Sequence, residues 1–305
     1  MSVLVFGSLN MDLVTRTPRL PQPGETIAGH HFVTVPGDKG ANQAVAVAKL
    51  GVPVQMNGRV GGDEFGKMLI ESLRSAGVDC AGIYTDETCS SGVAAIAIDD
   101  AGENNIIVVP GANGHVDGSD VEKIPFFGHK VLLLQLEIPI AIVLAAAQVA
   151  HSAGVTVILD PAPAPTELPP ALYTAVDILT PNQVETEQLT GIKVRDRDSA
   201  SNAAQELQRR GVKTVIIKMG AQGALCATET EELWIKPFEV VAIDTVAAGD
   251  AFNGGLAAAL AEGRSIEEAC RWGAAAGAIA VTRSGAQAAM PTREALTDLL
   301  STAKA

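Results

Sequence analysis

Apolar and polar positions along this chain follow two rhythms. The first is a short continuous apolar run, as in SVLVFGSLN at 2–10, which predicts a buried strand ending in a polar turn. The second is a helical spacing closed by glycine, as in KGANQAVAVAKLG at 39–51, where Gly51 ends the pattern. The two alternate: VPVQMNGRVG at 52–61 is a strand and DEFGKMLIESLRSAG at 63–77 a helix. After residue 109 the alternation is strict. Strands are predicted in KVLLLQLE, VTVILDPAP, AVDILTPN and KTVIIKMG, and helices in PIAIVLAAAQVAHSAG, VETEQLTG and SNAAQELQRRG. GALCAT and ELWIKP pair as a hairpin, VVAID at 240–244 reads as a strand, and three helices begin near Gly249, Ser265 and Thr292.

Repeated strand–helix units predict an α/β fold: a central, mostly parallel sheet with helices on both faces. Two stretches break the rhythm. Residues 13–35 and 83–109 carry alternating runs without helices, the second a hairpin turning at DDAGEN. They predict a small antiparallel β lid standing over the strand ends, inserted in a single domain spanning 1–305.

Composition narrows the function classes. Apolar residues make up 47% of the 305 residues, enough for a large core, and the net charge is −13. That sign disfavours non-specific nucleic-acid binding and anionic membranes. No apolar run is long enough to span a bilayer, and the chain opens without a basic leader, so a cytoplasmic location is expected. Cys80, Cys89, Cys226 and Cys270 have no paired spacing, which argues against a disulfide framework or zinc.

Candidate chemistry lies in DTVAAGDAFNGG at 244–255. A turn entering a helix directs unpaired N–H groups outward, and the helix dipole makes that mouth positive. Ala247, Ala248 and Gly249 are small enough to admit an anion. A carboxylate at Asp250 is ill placed to bind a phosphate there. It is well placed to take a proton from a hydroxyl attacking the phosphorus. Read alone, Asp250 has an ordinary alternative as an acid complementing the helix dipole, and Asp244 as a turn residue.

GDKGANQAVAVAKLG at 37–51 and DTVAAGDAFNGG at 244–255, with QLE, DPAPA, PNQVE, KMGAQG and VTRSGAQ in order, resemble the ribokinase-like carbohydrate kinases over nearly the whole chain. The resemblance implies transfer of the ATP γ-phosphoryl group to a primary sugar hydroxyl, D-ribose foremost, giving ribose 5-phosphate. Fructose, a deoxyribose, an adenosine-like nucleoside and a non-catalytic sugar-binding role are the alternatives. By the same resemblance Asp250 is the base, and the amides of Ala247, Ala248, Gly249 and Asp250 hold the transferring phosphate. Asn10, Asp12, Lys39, Gly40, Asn42 and Glu137 form the sugar site. Asn182, Glu185, Lys218, Gly220, Gln222, Gly223, Gly249 and Ala274 bind the nucleotide, with Mg²⁺ held through water by Asn182 and Glu185. A monovalent cation, K⁺, falls to Asp244 and the carbonyls of Val246, Ala280, Arg283 and Gly285. A homodimer through the lid is also implied.

Several of these residues have plain alternatives. Asn10 and Asp12 fit a turn cap, Lys39 and Asn42 a helix start, Glu137 a loop acid, and NQVE a capping box. Two departures stand out. Ala289 replaces a serine the family often carries near the cation, which removes an oxygen. Asp38 replaces the second glycine of the family's usual pair, adding charge and bulk beside the sugar at a lid hinge. GGDEFGKM at 61–68 mimics a phosphate loop, but Met68 replaces the needed hydroxyl and Asp63 and Glu64 would repel phosphate.

Overall fold

The computed structural model describes residues 2–302. Its large sheet has nine strands: β1 (Val3–Phe6), β4 (Val54–Gly61), β5 (Asp79–Asp86), β8 (Val131–Leu134), β9 (Thr156–Leu159), β10 (Ile178–Leu179), β11 (Thr214–Lys218), β12 (Ala224–Ala227) and β13 (Glu232–Ile235). The spatial order is β13-β12-β11-β10-β9-β8-β1-β4-β5. Every pairing from β11 to β5 is parallel, and β12 runs antiparallel to both its neighbours.

The helices are α1 (Lys39–Lys49), α2 (Glu64–Ser75), α3 (Gly118–Lys123), α4 (Ile140–Ser152), α5 (Pro170–Ala175), α6 (Gln183–Thr190), α7 (Arg197–Arg209), α8 (Ala248–Ala261), α9 (Ile266–Ala280) and α10 (Arg293–Thr302). Strand alternation sorts the core into two layers. Val3 and Val5 of β1 face one cluster with α1, α2, α8 and α9, while Leu4 and Phe6 face the other with α4, α5 and α7. Buried side chains of this size contribute about 1.5–3 kcal/mol each.

A second sheet contains β2 (Asn10–Thr17), β3 (His31–Gly37), β6 (Gly92–Asp99) and β7 (Asn104–Val109), in the order β3-β2-β6-β7. It departs from the expected lid in three ways. Its outer pairs are antiparallel, but the central β2/β6 pair is parallel. It begins at Asn10 rather than 13. Residues 83–86 belong instead to β5, paired with β4 in the large sheet. Alternation looks the same in parallel and antiparallel pairs, so the sequence pattern alone cannot distinguish them.

The expected strand at 240–244 does not form. Pro237 has no N–H to continue the ladder beyond β13. The segment is exposed, and the amides of Ile243 and Asp244 donate to the Val281 carbonyl at the end of α9. No described helix is long and apolar enough to cross a membrane.

Candidate active site

The chain runs from β1 outward to β4 and β5, then crosses to the other side of β1 to build β8, β9, β10 and β11. The sheet order therefore reverses beside β1. Loops leaving the carboxyl ends of strands on either side of such a point open a crevice. Glu137 follows β8, Asp160 follows β9, Asn182 follows β10 and Lys218 ends β11. Asn10 and Asp12 lie just beyond β1, on one face of β2 by strand alternation. The mouth of α8 completes the ring.

A cavity of about 800 Å³ lies there, lined by Lys39, Asp160, Asn182, Glu185, Lys218 and Asp250, whereas Asn10, Asp12, Asn42 and Glu137 stand outside its lining. Ala247, Ala248 and Gly249 form one wall, and Gly220, Gly223, Phe238, Ala274 and Gly277 another. This volume suits a nucleotide-sized ligand. Of the residues expected to bind a nucleotide, only Gln222 is absent from the lining. It is exposed on a tight turn, while its neighbour Ala221 contributes instead.

Ala247 caps α8 in a left-handed conformation, φ 57°, unusual for a residue with a Cβ. That conformation turns the chain so that the first-turn amides face the cavity. A Cβ added at Gly249 would come within 3.4 Å of the Lys218 ammonium, so lysine and helix mouth act on the same space. Cation and dipole together make an anion site. Lys218 is itself held by Asp160, Nζ to Oδ1 at 2.9 Å.

Asp250 is buried in the first turn of α8. Asn42 Nδ2 donates to its Oδ2 at 3.0 Å, and Gln43 Nε2 donates to its Oδ1 at 3.2 Å. Gln43 also donates to Asp160 Oδ2 at 3.1 Å and accepts from Gln135 Nε2 at 2.7 Å. Burial raises the Asp250 pKa to about 6; Lys39 and the two amides oppose this, and Asp160 adds to it. A carboxyl with that pKa is a usable proton acceptor near neutrality. Burial would pull the Lys39 ammonium down. The carboxylates of Asp250, Asp160, Glu137 and Glu185 outweigh it, so Lys39 stays firmly charged.

The remaining sugar-site candidates form a linked group. Burial first, then Glu137, raises the Asp12 pKa to about 6. Asn10 Oδ1 accepts from Asn113 Nδ2 at 2.8 Å. A Cβ on Gly40 would lie 2.7 Å from Ser8 backbone atoms, so this glycine lets α1 dock against the turn after β1. Ser8 donates to Glu137 at 2.8 Å. Asp38 sits at φ 83°, ψ 153°. That is not the left-handed helical region aspartate tolerates, but an extended positive-φ region nearly confined to glycine, costing about 1–3 kcal/mol.

NQVE does form the capping box: Asn182 Oδ1 accepts from the Glu185 amide and Glu185 returns the bond to the Asn182 amide at 2.7 Å. Its side chains also line the cavity, so capping and site positions coincide. Burial raises the Glu185 pKa, Lys218 lowers it, and Asp160 raises it again.

Around Asp244 the expected cation ligands are near one another. Asp244 accepts from the Val246 and Gly285 amides, both at 3.0 Å, tying the turn before α8 to the loop after α9. The Ala280 carbonyl takes the Arg283 amide at 3.1 Å, and Ala289 is buried nearby in sequence without a side-chain oxygen. Elsewhere, donor atoms of Asp86, Cys89 and His115 lie within 4.8 Å of one another despite the unpaired cysteine spacing. Asp86 already accepts from Thr88 and faces Arg59, which compete with a metal.

Sequence reading missed Asp160, Gln43 and Gln135. Asp160 carried the available signal, an acid at the carboxyl end of a predicted strand. Gln43 stood out only as a polar residue on a helix face otherwise fit for the core.

The comparisons with known proteins bear on this geometry. Residues 1–293 match the model of the pfkB family carbohydrate kinases. The chain is 42% identical over 301 residues to a ribokinase of Haemophilus influenzae, covering 98% of each. It is 36% identical over 303 residues to a deoxyribokinase of Salmonella typhimurium, covering 99% of each. The structure of Arabidopsis thaliana ribokinase complexed with ribose and ATP is similar at a TM-score of 0.93, with 35% identity and 98% of each chain covered.

Proposed function

Because the chain belongs to the pfkB family of carbohydrate kinases, we propose that it phosphorylates the primary hydroxyl of D-ribose with ATP, giving ribose 5-phosphate. The observation that carries this reading is Asp250, a buried carboxyl of raised pKa at the mouth of α8, aimed by Asn42 and Gln43 at the end of an open cavity. Asp250 takes the hydroxyl proton as the oxygen attacks the γ-phosphorus. The amides of Ala247 through Asp250, with Lys218, stabilise the charge on the phosphoryl oxygens. Asn10, Asp12, Lys39, Asn42 and Glu137 orient the sugar through its hydroxyls.

Asn182 and Glu185 fit a water-mediated Mg²⁺, since Glu185 presents a cavity-lining carboxylate beside Lys218 and Asp160. The ion would neutralise phosphate charge. A monovalent cation, K⁺, would be held by Asp244 and neighbouring carbonyls, stiffening the loop pair that Asp244 already ties. With alanine at 289 the donor set is one oxygen short, so a modest activation is expected. The location is read as cytoplasmic. Two copies pair through the small sheet, whose Phe32, Ile106, Ile107, Val108 and Val109 are exposed. Light scattering at micromolar concentration reads this directly, and a monomer would contradict it.

The test of the activity is ADP release with ATP and Mg²⁺ across ribose, 2-deoxyribose, fructose and nucleosides, with and without K⁺. Asp250→Asn should lose about 10²–10⁴-fold in turnover while keeping sugar binding. Unchanged turnover in that variant would remove the mechanism. Preferred use of 2-deoxyribose would favour the second reading, which the Salmonella relative supports.

A further inference from the structure

Two carboxyl groups meet over one backbone N–H at the root of α1. The Lys39 amide donates to Asp38 Oδ1 at 2.9 Å and also reaches Glu137 Oε2 at 3.4 Å. Ser8 Oγ donates to the same Glu137 oxygen at 2.8 Å. The other Asp38 oxygen, Oδ2, is buried and has no hydrogen-bond partner among the described residues. An ionised Asp38 would leave that oxygen bare beside a second carboxylate, out of reach of water. Burial penalises such an arrangement severely.

We infer that Asp38 is a carboxylic acid in the folded protein and that its Oδ2–H donates to Glu137, so that the pair carries one negative charge and Asp38 positions Glu137. Burial first, then the charge of Glu137, pushes Asp38 well above the usual carboxylate range. Other titratable groups surround the pair. Asp12 comes from β2, and Lys39 from α1, with its ammonium turned toward Asp160, Asp250 and Glu185 as well as Glu137. The consequence for sugar affinity rests on the proposed sugar-kinase reading, whereas the shared proton does not. With the acid intact, Glu137 is locked between Ser8, the Lys39 amide and Asp38, ready to accept from a sugar hydroxyl. Once Asp38 ionises, two like charges repel and Glu137 loses its orientation.

Proton linkage of folding tests this without any substrate. Asp38 has a folded pKa above its unfolded one, so its stabilising effect is full below the unfolded value and is lost as pH rises through the folded value. Asp38→Asn supplies a permanent N–H donor to Glu137 and removes that proton. At pH values above the unfolded carboxyl pKa and below the folded one, the wild-type folding constant should fall with pH about tenfold per unit more steeply than the variant's. Parallel curves would overturn the inference. Asp38→Gly, which relieves the positive φ and therefore folds, should show the same missing proton. A wild-type minus variant infrared difference spectrum should show one acid C=O stretch for each variant, and its absence would also count against Asp38.

If the shared proton positions Glu137 for the sugar, wild-type KM for ribose should rise once pH passes the acid's folded pKa, by up to about tenfold per unit, while kcat moves less. Asp38→Asn should flatten that rise. A wild type that turns over no sugar would remove the sugar-kinase reading, and the unfolding curves would still decide the shared proton.

Discussion

Asn42 and Asp250 stand 208 residues apart in sequence, and the amide of one donates to the carboxylate of the other at 3.0 Å. The bond joins the first turns of α1 and α8 and aims the proposed base. Replacing Asn42 with Ala leaves only Gln43 on that carboxylate. A hydrogen bond to a charged group is worth about 1.5–3 kcal/mol, so kcat/KM should fall by about 10–100-fold. The lost bond favoured the ionised form, so the acid limb of the pH profile should also shift to higher pH. A profile that falls in height without moving would mean that Asn42 acts elsewhere.

The pH dependence of activity follows from the same carboxyl. Asp250 must be ionised to accept a proton and has a pKa of about 6, so kcat/KM should decline as pH falls through that value. Asp12, also at about 6, titrates in the same range, and the limb should be steeper than one proton requires. Stability runs the other way. A folded pKa of about 6 against an ordinary 3.8 means stability is full below 3.8 and is lost as pH rises toward 6. Asp250→Asn should therefore gain on the wild type in unfolding free energy from urea titration as pH rises between these two values, by up to about 3 kcal/mol.

Lys218 and Asp160 form a largely buried ion pair at 2.9 Å. Lys218→Met strands the aspartate and should destabilise the fold by about 3–5 kcal/mol in urea titration. Adding Asp160→Asn should restore much of that loss, since no uncompensated charge remains. Additive losses in the double variant would show that the pair is not coupled. Neither variant should keep full turnover, because both residues line the cavity.

Gly254 tests how closely helices α1 and α8 must approach. A Cβ there would come within 2.4 Å of Ala46 Cβ and 3.2 Å of the Gln43 carbonyl. Gly254→Ala should cost about 1–3 kcal/mol from overpacking. It should also lower kcat more than it raises KM, because α1 carries Asn42 and Gln43 to the base. A variant that is destabilised but has normal kcat would separate packing from positioning.

Much of this site was readable because its signals are local. Asp250, the small residues before it and the helix that follows are contiguous, so anion hole and base could be argued from one stretch. NQVE was readable as a cap for the same reason, and it is one. Gln43 was not, because its importance arises only when α1 and α8 are brought together, and Asp160 offered no more than its place at the end of a strand. The strand expected at 240–244 failed for a different reason. VVAID has the apolar content of a strand, but a strand needs a partner edge, and Pro237 has already ended the ladder beside it. The parallel junction of β2 with β6 was likewise invisible, since residue alternation carries no direction.

The helix α8 is buried along nearly its whole length, and its glycines admit α1 on one side and α9 on the other. Main chains that nearly touch behave as a fixed ruler. The distance from the proposed proton acceptor to the proposed phosphate pocket is therefore set by backbone contact, which single substitutions can scarcely adjust. The outer strand β7 of the small sheet, exposed along its whole length, has no such constraint. Divergence in this architecture should therefore accumulate along that outer edge, while the paired helices α1 and α8 stay fixed.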